Sequence, residues 1–390
     1  MKFLMYGAGS IGRGFIGPLF ARAGYKVVFV DINPAVINAL NSRGSYFYTI
    51  AAQPPYDVPV TGVSCVDGHN KQAVLEQIAS CDLMATSLGT TALQKLAPII
   101  AEGFSLRMKN SGHPLNILIC ENLKDSAHIL RGWMAEELKC EDATLLDKKC
   151  GLIETAIGRM VPVAAPNDDD PLHVTVEEYG FLPVDKDAFV GEIPKVEGLV
   201  PYSPFAFYEE RKLYLHNMGH AICAYLGKRQ GYETISQAIQ DFSVRFFVQS
   251  AMTEASAMLS TKYNIPFAKI FDHAEDLLLR FGNAALGDTC ERVGRDPMRK
   301  LQAGDRLAGA MEQCLKTGVY PVYITLGYAA ALRSVTDDAK QAVAIAGEVG
   351  GLPEDLAGLV NELFLAANLS TQELLQLAEG KKKEFRGDIV

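Results

Sequence analysis

The first glycine-rich stretch of the chain decides how its N-terminal half folds, and it reads Gly7-Ala8-Gly9-Ser10-Ile11-Gly12. A short, mostly apolar run over residues 2–6 comes directly before it and is typical of a buried β-strand. An apolar-rich stretch over residues 11–23 follows and is typical of a helix that stops at Gly24. The sequence therefore predicts a strand, a tight turn and a helix in immediate succession.

In this setting the pattern G-x-G-x-x-G gives each glycine a separate task. Gly7 would allow the tight turn, Gly9 would let the backbone approach a pyrophosphate, and Gly12 would let the helix pack closely on the strand. The positive end of the helix dipole, at Ser10 and Ile11, would face the phosphates. We therefore expect all five residues to contact a dinucleotide.

An acidic residue stands where the ribose-binding acid of such a site belongs. Asp31 ends a second buried strand over residues 27–30 and follows Gly12 by about 20 residues. Its carboxylate can accept both ribose hydroxyls but would repel a 2′-phosphate, and residues 32–34 supply no basic group, so the sequence predicts NAD rather than NADP as the cofactor. The alternative is a glycine turn without a ligand, with Asp31 capping the next helix.

Strands and helices go on alternating as far as residue 120. The sequence predicts helices over residues 34–40, 71–80 and 93–108, and strands over residues 82–86 and 116–120. Such alternation is typical of an α/β fold, here an N-terminal Rossmann-type, doubly wound parallel sheet. Thr86 and Ser87 lie at the carboxyl edge of this sheet, where they would either line the cofactor or form an ordinary strand-to-helix turn.

The second half of the chain has a different character. Residues 160–165 and 173–178 are β-like, and the turn between them, residues 166–171, carries an acidic triplet that we interpret as a solvated turn. Long amphipathic helical stretches follow, over residues 208–226, 235–259, 266–281 and 356–367. We therefore expect two domains: residues 1–194, the NAD-binding domain with a β extension, and residues 195–390, a mainly α-helical domain for substrate binding and catalysis.

One predicted helix of the second half carries three residues suited to alcohol oxidation. Lys212, Asn217 and His220 form the pattern K-x4-N-x2-H, and in an α-helix they fall within an arc of about 140°. A lysine can take the proton of an alcohol, while an asparagine and a histidine can orient hydroxyls or support a developing alkoxide. His216 and His220 also have the spacing of a metal-binding pair, but no third ligand accompanies them, so we expect no metal.

Composition limits the possible partners. The 390 residues include 46 acidic and 37 basic side chains, a net charge of −9, which disfavours non-specific binding to nucleic acid or anionic membranes. No apolar run reaches the length of about 18 residues needed to span a bilayer. The 8 cysteines show no CxxC pair, so we expect reduced thiols and a cytoplasmic location.

Several stretches together resemble the polyol-specific long-chain dehydrogenases of the mannitol dehydrogenase family, whose members use a lysine base and no zinc. The resemblance covers nearly all of the chain, in the expected order. The matching stretches are GAGSIGRGFIG (residues 7–17), PLNILICEN (114–122), ERKLYLHNMGHAICAYLG (210–227) and ERVGRDPMRKLQAGDRL (291–307).

The resemblance implies a reversible reaction in which NAD accepts a hydride from C5 of D-mannitol 1-phosphate, giving D-fructose 6-phosphate. It implies that Lys212 is the general base, that Asn217 helps to hold the oxyanion and that His220 binds substrate. Asn122 matches a second oxyanion donor. Arg292 and Lys300 match basic positions that contact substrate.

A phosphorylated substrate needs local positive charge in so acidic a chain. Five basic residues between positions 292 and 306 are the candidates: Arg292, Arg295, Arg299, Lys300 and Arg306. The alternative for this stretch is a solvated basic helix.

Two other functions stay open. An oxidoreductase of the same family acting on mannitol, fructuronate or tagaturonate would carry the same Lys-Asn-His pattern. A catalytically inactive, NAD-sensing regulatory protein is the alternative of another class, and the intact Lys212 argues against it. The family favours a monomer or a small homo-oligomer.

Overall fold

The computed structural model describes residues 1–161, 170–366 and 371–386. The chain divides into two compact units, Met1–Tyr208 and Glu209–Val390. This division lies later than the predicted boundary near residue 195. The reason is that strand Leu199–Tyr202 pairs in parallel with strand Leu182–Asp185, which keeps it in the first unit.

The first unit contains eleven strands in its described residues, and six of them form one parallel sheet. In chain order the strands are β1 (Lys2–Tyr6), β2 (Lys26–Asp31), β3 (Ser45–Ile50), β4 (Tyr56–Thr61), β5 (Val63–Asp67), β6 (Leu83–Thr86), β7 (Leu115–Ile119), β8 (Cys150–Glu154), β9 (Thr175–Val176), β10 (Leu182–Asp185) and β11 (Leu199–Tyr202). The large sheet has the order β5-β2-β1-β6-β7-β8. All its strands are parallel, but the order in which they are added reverses between β1 and β6. Ligands of doubly wound sheets bind outside the carboxyl ends of the strands at such a point.

Helices cover both faces of this sheet. They are α1 (Gly17–Arg22), α2 (Pro34–Arg43), α3 (Lys71–Ser80), α4 (Thr90–Asn110), α5 (Ser126–Glu137) and α6 (Cys140–Lys149). Alternate residues of β1 belong to two separate apolar cores: Phe3 and Met5 face one, Leu4 and Tyr6 the other. Both faces of β1 are therefore buried, as a doubly wound parallel sheet requires.

The β extension differs in part from the prediction. Strand β3 pairs with β4 in antiparallel fashion and with β9 in parallel, and the β3–β4 pair was missed by the sequence analysis. Residues 173–178 contain only the short strand β9, and Met160 and Val161 form no strand. The remainder of the predicted β-like residues 160–165, and residues 166–169 of the acidic turn, lie outside the described residues. Asp170 forms an ion pair of 2.7 Å with Arg43.

The regular secondary structure of the second unit is helical in its described residues, apart from an isolated β-bridge between Thr234 and Thr289. Its helices, with α7 at the division of the units, are α7 (Ala206–Glu210), α8 (Met218–Arg229), α9 (Ile235–Gln240), α10 (Phe242–Tyr263), α11 (Phe267–Phe281), α12 (Cys290–Gly294), α13 (Pro297–Lys300), α14 (Ala308–Lys316), α15 (Val322–Leu332), α16 (Ala339–Ala344), α17 (Glu354–Leu365) and α18 (Thr371–Arg386). Two π-helical segments, Arg211–Asn217 and Ile345–Val349, and a 3₁₀ turn, Ala284–Leu286, complete it.

The predicted helical stretch over residues 235–259 is wrong as a single helix. It breaks at Asp241, whose backbone is extended (φ −66°, ψ 126°) and whose carboxylate accepts hydrogen bonds from the amides of Ser243 and Val244. An aspartate in this role caps the N-terminus of a helix. No helix among the described residues is long and apolar enough to cross a membrane.

Candidate functional site

The glycine-rich turn follows β1 and lies where the strand order of the large sheet reverses, between β1 and β6. Gly7 has a φ of +109°, and a Cβ there would lie 2.5 Å from the carbonyl oxygen of Ser87, in the loop after β6. A Cβ at Gly12 would overlap the carbonyl oxygen of Gly7 and lie 3.5 Å from Met5 Cγ in β1. Only glycine fits at these two positions. Gly9, in contrast, faces open space, since no atom lies within 4 Å of its would-be Cβ.

The helix that follows begins in an unexpected way. Residues 10 and 11 are α-helical, residues 12–16 are π-helical, and the α-helix resumes at Gly17. Arg13 lies in this π-segment, is buried, and donates hydrogen bonds to the carbonyls of Ala8 and Leu172. Burial lowers the pKa of Arg13, with nearby acidic groups including Asp31 opposing the shift. The buried guanidinium of Arg13 therefore stabilises the glycine turn through the carbonyl of Ala8. The sequence analysis did not predict this contact.

Asp31 is tied directly to the glycine turn. Its Oδ2 accepts a hydrogen bond of 2.9 Å from the amide of Ala8, and its Oδ1 accepts from the amides of Ile32 and Asn33 at 2.8 and 2.9 Å. Asn33, not Asp31, caps helix α2, since its side chain accepts from the amide of Ala35. The predicted alternative, in which Asp31 is the helix cap, is thus not what the structure shows.

The loop after β6 is held by a carboxylate that sequence reasoning missed. Glu121 is 6% exposed, and its two oxygens accept hydrogen bonds from the amides of Leu88 (2.9 Å) and Gly89 (2.7 Å). Thr86 Oγ1 and Ser87 Oγ are buried and have no hydrogen-bond partner among the described residues. Buried hydroxyls without partners are rare in folded proteins and mark places where a ligand can bind. Asn122 follows Glu121 and is exposed.

These features fit a dinucleotide. The Gly9 backbone is open to approach, and Asp31 is fixed beside the turn. Asp67, in β5, is aligned with Asp31 across the β2–β5 pair, so the edge of the sheet carries two acidic residues and residues 32–34 add no positive charge. The residues present would hold a ribose diol and reject a 2′-phosphate.

In the second unit, the predicted Lys-Asn-His helix is not a regular α-helix. Residues 211–217 are π-helical, and the α-helix α8 starts at Met218. The arc of about 140° predicted for these side chains assumed α-helical geometry and is wrong for the segment from Lys212 to Asn217. Hydrogen bonds in a π-helix join residues five apart, the separation of Lys212 and Asn217, so the two lie more nearly one above the other than in an α-helix.

Histidines pack closely beside this segment. His216 is buried, and its ring centroid lies 6.2 Å from that of His220. Burial lowers the pKa of His216 well below its usual value, and the charges of Arg280, His220, His273 and Lys212 add to this effect. His216 is therefore neutral at physiological pH, and the positive charge of Lys212 acts on it.

His220 is oriented by two neighbours, Phe281 on helix α11 and Asp288 in the loop before helix α12. Its ring stacks on Phe281 with centroids 4.8 Å apart and planes 11° apart. Its Nε2 lies 3.2 Å from Asp288 Oδ2. Arg292 Nε donates a hydrogen bond of 2.8 Å to Asp288 Oδ1, so one carboxylate joins two of the predicted substrate residues. Burial alone would raise the pKa of Asp288, but His220 and Arg292 hold it below its usual value.

The five basic residues of positions 292–306 fall into separate groups. Arg292 belongs with Asp288, as above, and Arg295 is exposed. Lys300 is only 4% exposed. Burial lowers its pKa to about 8, Arg306 and Arg299 add to the shift, and Asp296 and Asp305 oppose it.

Asp305 organises the group around Lys300. Its Oδ1 accepts a hydrogen bond of 2.8 Å from Arg306 Nε, and its Oδ2 lies 3.5 Å from Arg299 NH1. Arg299, Lys300 and Arg306 therefore form one cluster of three cations around an acidic residue. The alternative of a simple solvated helix does not describe a buried lysine.

Glu121, Asp288 and Asp305 were missed because each acts through another residue. One of them had a sequence signal, because Asp288 stands four residues before Arg292, a spacing at which an acid and a base can pair. Within the described residues, no three His, Cys, Asp or Glu side chains are grouped so as to hold a metal ion.

Comparisons with known proteins match both units. The family model of the mannitol dehydrogenase Rossmann domain matches residues 1–198, and that of the mannitol dehydrogenase C-terminal domain matches residues 205–379. Among solved structures, a Pseudomonas fluorescens mannitol 2-dehydrogenase in a ternary complex with NAD and D-mannitol aligns with a TM-score of 0.74 at 14% identity, over 98% of this chain and 94% of that one. A D-sorbitol dehydrogenase in substrate-free form aligns with a TM-score of 0.72 at 15% identity, over 99% and 93% of the two chains. The chain belongs to the mannitol dehydrogenase family.

Proposed function

We propose that this protein is an NAD-dependent polyol dehydrogenase whose substrate is D-mannitol 1-phosphate, oxidised reversibly at C5 to D-fructose 6-phosphate. Membership of the mannitol dehydrogenase family supports the polyol dehydrogenase part. The observation that carries the phosphorylated substrate is the cluster of Arg299, buried Lys300 and Arg306. Asp296 and Asp305 offset only part of the charge of these three cations, so the cluster can take up an anion.

The first unit supports NAD as the cofactor. Gly7, Gly9, Ser10, Ile11 and Gly12 would hold the pyrophosphate at the turn and helix start. Asp31 would accept the ribose hydroxyls. Thr86 and Ser87 would donate from hydroxyls that have no other partner in the described structure. When bound, NAD supplies the hydride acceptor.

The second unit supplies the proton chemistry. Lys212, as the neutral amine, takes the proton of the substrate hydroxyl as the C–H bond breaks. Asn217 donates a hydrogen bond to the same oxygen, and His220 orients it, because an alkoxide needs donors while its charge develops. Asn122 stays a predicted oxyanion donor. No metal is needed for these steps, since lysine is the base.

Asp288 supports this arrangement through its contact with His220 Nε2. The other ring nitrogen of His220, Nδ1, is proposed to contact the substrate. Arg292, on the same carboxylate, is proposed to contact substrate, and Lys300 to contact its phosphate. Charge-assisted hydrogen bonds of this kind contribute about 1.5–3 kcal/mol each.

An unphosphorylated substrate is the second candidate. The aligned Pseudomonas fluorescens enzyme is a mannitol 2-dehydrogenase in complex with D-mannitol, and the same Lys-Asn-His pattern would serve mannitol, fructuronate or tagaturonate. A catalytically inactive NAD sensor is a third possibility, which any turnover would exclude.

A panel assay separates these functions. The rate of NADH oxidation is measured with D-fructose 6-phosphate, D-fructose, fructuronate and tagaturonate at equal concentrations, followed by identification of the product. We expect fast turnover with D-fructose 6-phosphate alone, giving D-mannitol 1-phosphate. Faster turnover with fructose or with either uronate would replace the proposed substrate, and no turnover with any of them would support the NAD sensor.

A further inference from the structure

The second unit contains a cavity of about 430 Å³ between helices α8, α15, α17 and α18. Three cations line it, Lys228, Arg229 and Arg333, together with three leucines, Leu326, Leu363 and Leu374. No acidic side chain is among the described residues that line it. Its volume lies in the range of small-molecule sites, about 300–1,000 Å³.

Contacts with Phe364 hold Arg333 in place at this cavity, and one of its N–H donors has no hydrogen-bond partner among the described residues. Its guanidinium stacks on Phe364, with the carbon 3.9 Å from the ring centroid, and one of its nitrogens donates a hydrogen bond of 2.7 Å to the Phe364 carbonyl. Its Nε is buried and has no hydrogen-bond partner among the described residues. The acidic group nearest to it, Asp337, is 95% exposed and 3.5 Å away, an ion pair of little strength.

The other two cations add to this positive charge. Burial lowers the pKa of Arg229, and the charge of Arg333 lowers it further, so the two guanidiniums repel each other across the cavity. Lys228 pairs with Glu291, whose side chain is 76% exposed. An anion between these three cations would relieve the repulsion.

We propose that this cavity binds a small organic phosphate with an apolar body. A phosphomonoester carries about two negative charges and accepts several hydrogen bonds, which suits two guanidiniums and an ammonium better than a single carboxylate does. The leucines would contact the apolar body. None of the residues proposed to hold substrate or NAD lines the cavity, so this site is separate from the proposed reaction.

Calorimetric titration of the full-length protein with phenyl phosphate tests the proposal. We expect phenyl phosphate to bind more tightly than inorganic phosphate, benzoate or benzyl alcohol, since only phenyl phosphate combines the dianion with an apolar ring. Arg333→Leu and Arg229→Leu should each weaken binding roughly tenfold or more, the usual loss for one charge-assisted hydrogen bond.

Because Arg333→Leu also removes the contact with Phe364, a second variant keeps every cation and fills the cavity instead. Ala330→Trp places a large ring among the lining residues and should abolish phenyl phosphate binding. Lys316→Met is the matched control, since Lys316 lines neither the cavity nor the proposed substrate site, and its affinity for phenyl phosphate should equal that of the native protein. Unchanged binding in Ala330→Trp, loss of binding in Lys316→Met, or tighter binding of benzoate would each overturn the proposal.

Discussion

His220 Nε2 lies 3.2 Å from Asp288 Oδ2, while Oδ1 of the same carboxylate accepts a hydrogen bond of 2.8 Å from Arg292. A single acidic residue therefore sets the positions of a proposed substrate-orienting histidine and a proposed substrate-contacting arginine. Asp288 lies on neither residue's own helix but directly before the helix that carries Arg292.

Asp288→Asn should lower kcat by roughly tenfold while NADH affinity is unchanged, because the amide keeps the shape but not the charge that orients His220 and Arg292. The pH dependence of unfolding gives a second measurement. The pKa of Asp288 is lowered in the folded protein, so its stabilising effect is present above the unfolded value of about 3.9 and is lost as pH falls through the folded value. Native protein should lose stability in this acidic range more steeply than Asp288→Asn; parallel curves would contradict the role of Asp288.

Asp31→Ala should narrow the preference for NADH over NADPH, chiefly by raising the KM for NADH. The carboxylate would otherwise repel a 2′-phosphate, and Asp67 on the neighbouring strand maintains part of that repulsion. Steady-state kinetics with both coenzymes measure the change. Equal use of the two coenzymes by the native protein would show that our interpretation of Asp31 is wrong.

Lys212→Ala should lower kcat by roughly 10²–10⁴-fold, the usual effect of removing a positioned general base, while NADH still binds. Lys212→Arg is the matched control, because it keeps the positive charge near His216 without a usable base and should be as impaired as Lys212→Ala. Near-native turnover in either variant would place the base elsewhere.

The KM for D-fructose 6-phosphate should rise with pH through about 8, since the pKa of Lys300 is lowered to about 8 and only its charged form attracts the phosphate. Lys300→Arg stays charged over this range and should abolish the rise. A pH-independent KM in native protein between pH 7 and 9 would argue against Lys300 as a phosphate contact.

The glycine turn was predictable because its geometry depends on residues close together in the chain. Gly7 and Gly12 have no room for a Cβ, so glycine is required at both positions and the G-x-G-x-x-G spacing shows it. The doubly wound sheet was predictable for a similar reason, since both faces of its strands are buried and read as continuous apolar runs. The helical segment over residues 211–217 was predicted as a helix but not as a π-helix, because the two share the same residue preferences and differ only in which carbonyl each amide reaches.

Glu121 and Asp305 could not be assigned from sequence. Glu121 acts by accepting from two backbone amides that are more than 30 positions away in the chain, and Asp305 acts by joining Arg299 and Arg306. Pairings of this kind depend on tertiary contacts, whereas residue type alone distinguishes neither carboxylate from an ordinary surface acid. The five basic residues between positions 292 and 306 were likewise predicted as one set, but the structure places them in separate groups.

The most direct test compares kcat/KM for D-fructose 6-phosphate and for D-fructose in native protein and in Lys300→Met. We predict that native protein strongly prefers the phosphorylated sugar. We also predict that Lys300→Met loses roughly ten- to a hundredfold of that preference, the effect of one buried charge-assisted contact. Equal kcat/KM for the two sugars in native protein would contradict the account and assign the chain to the dehydrogenases of unphosphorylated polyols.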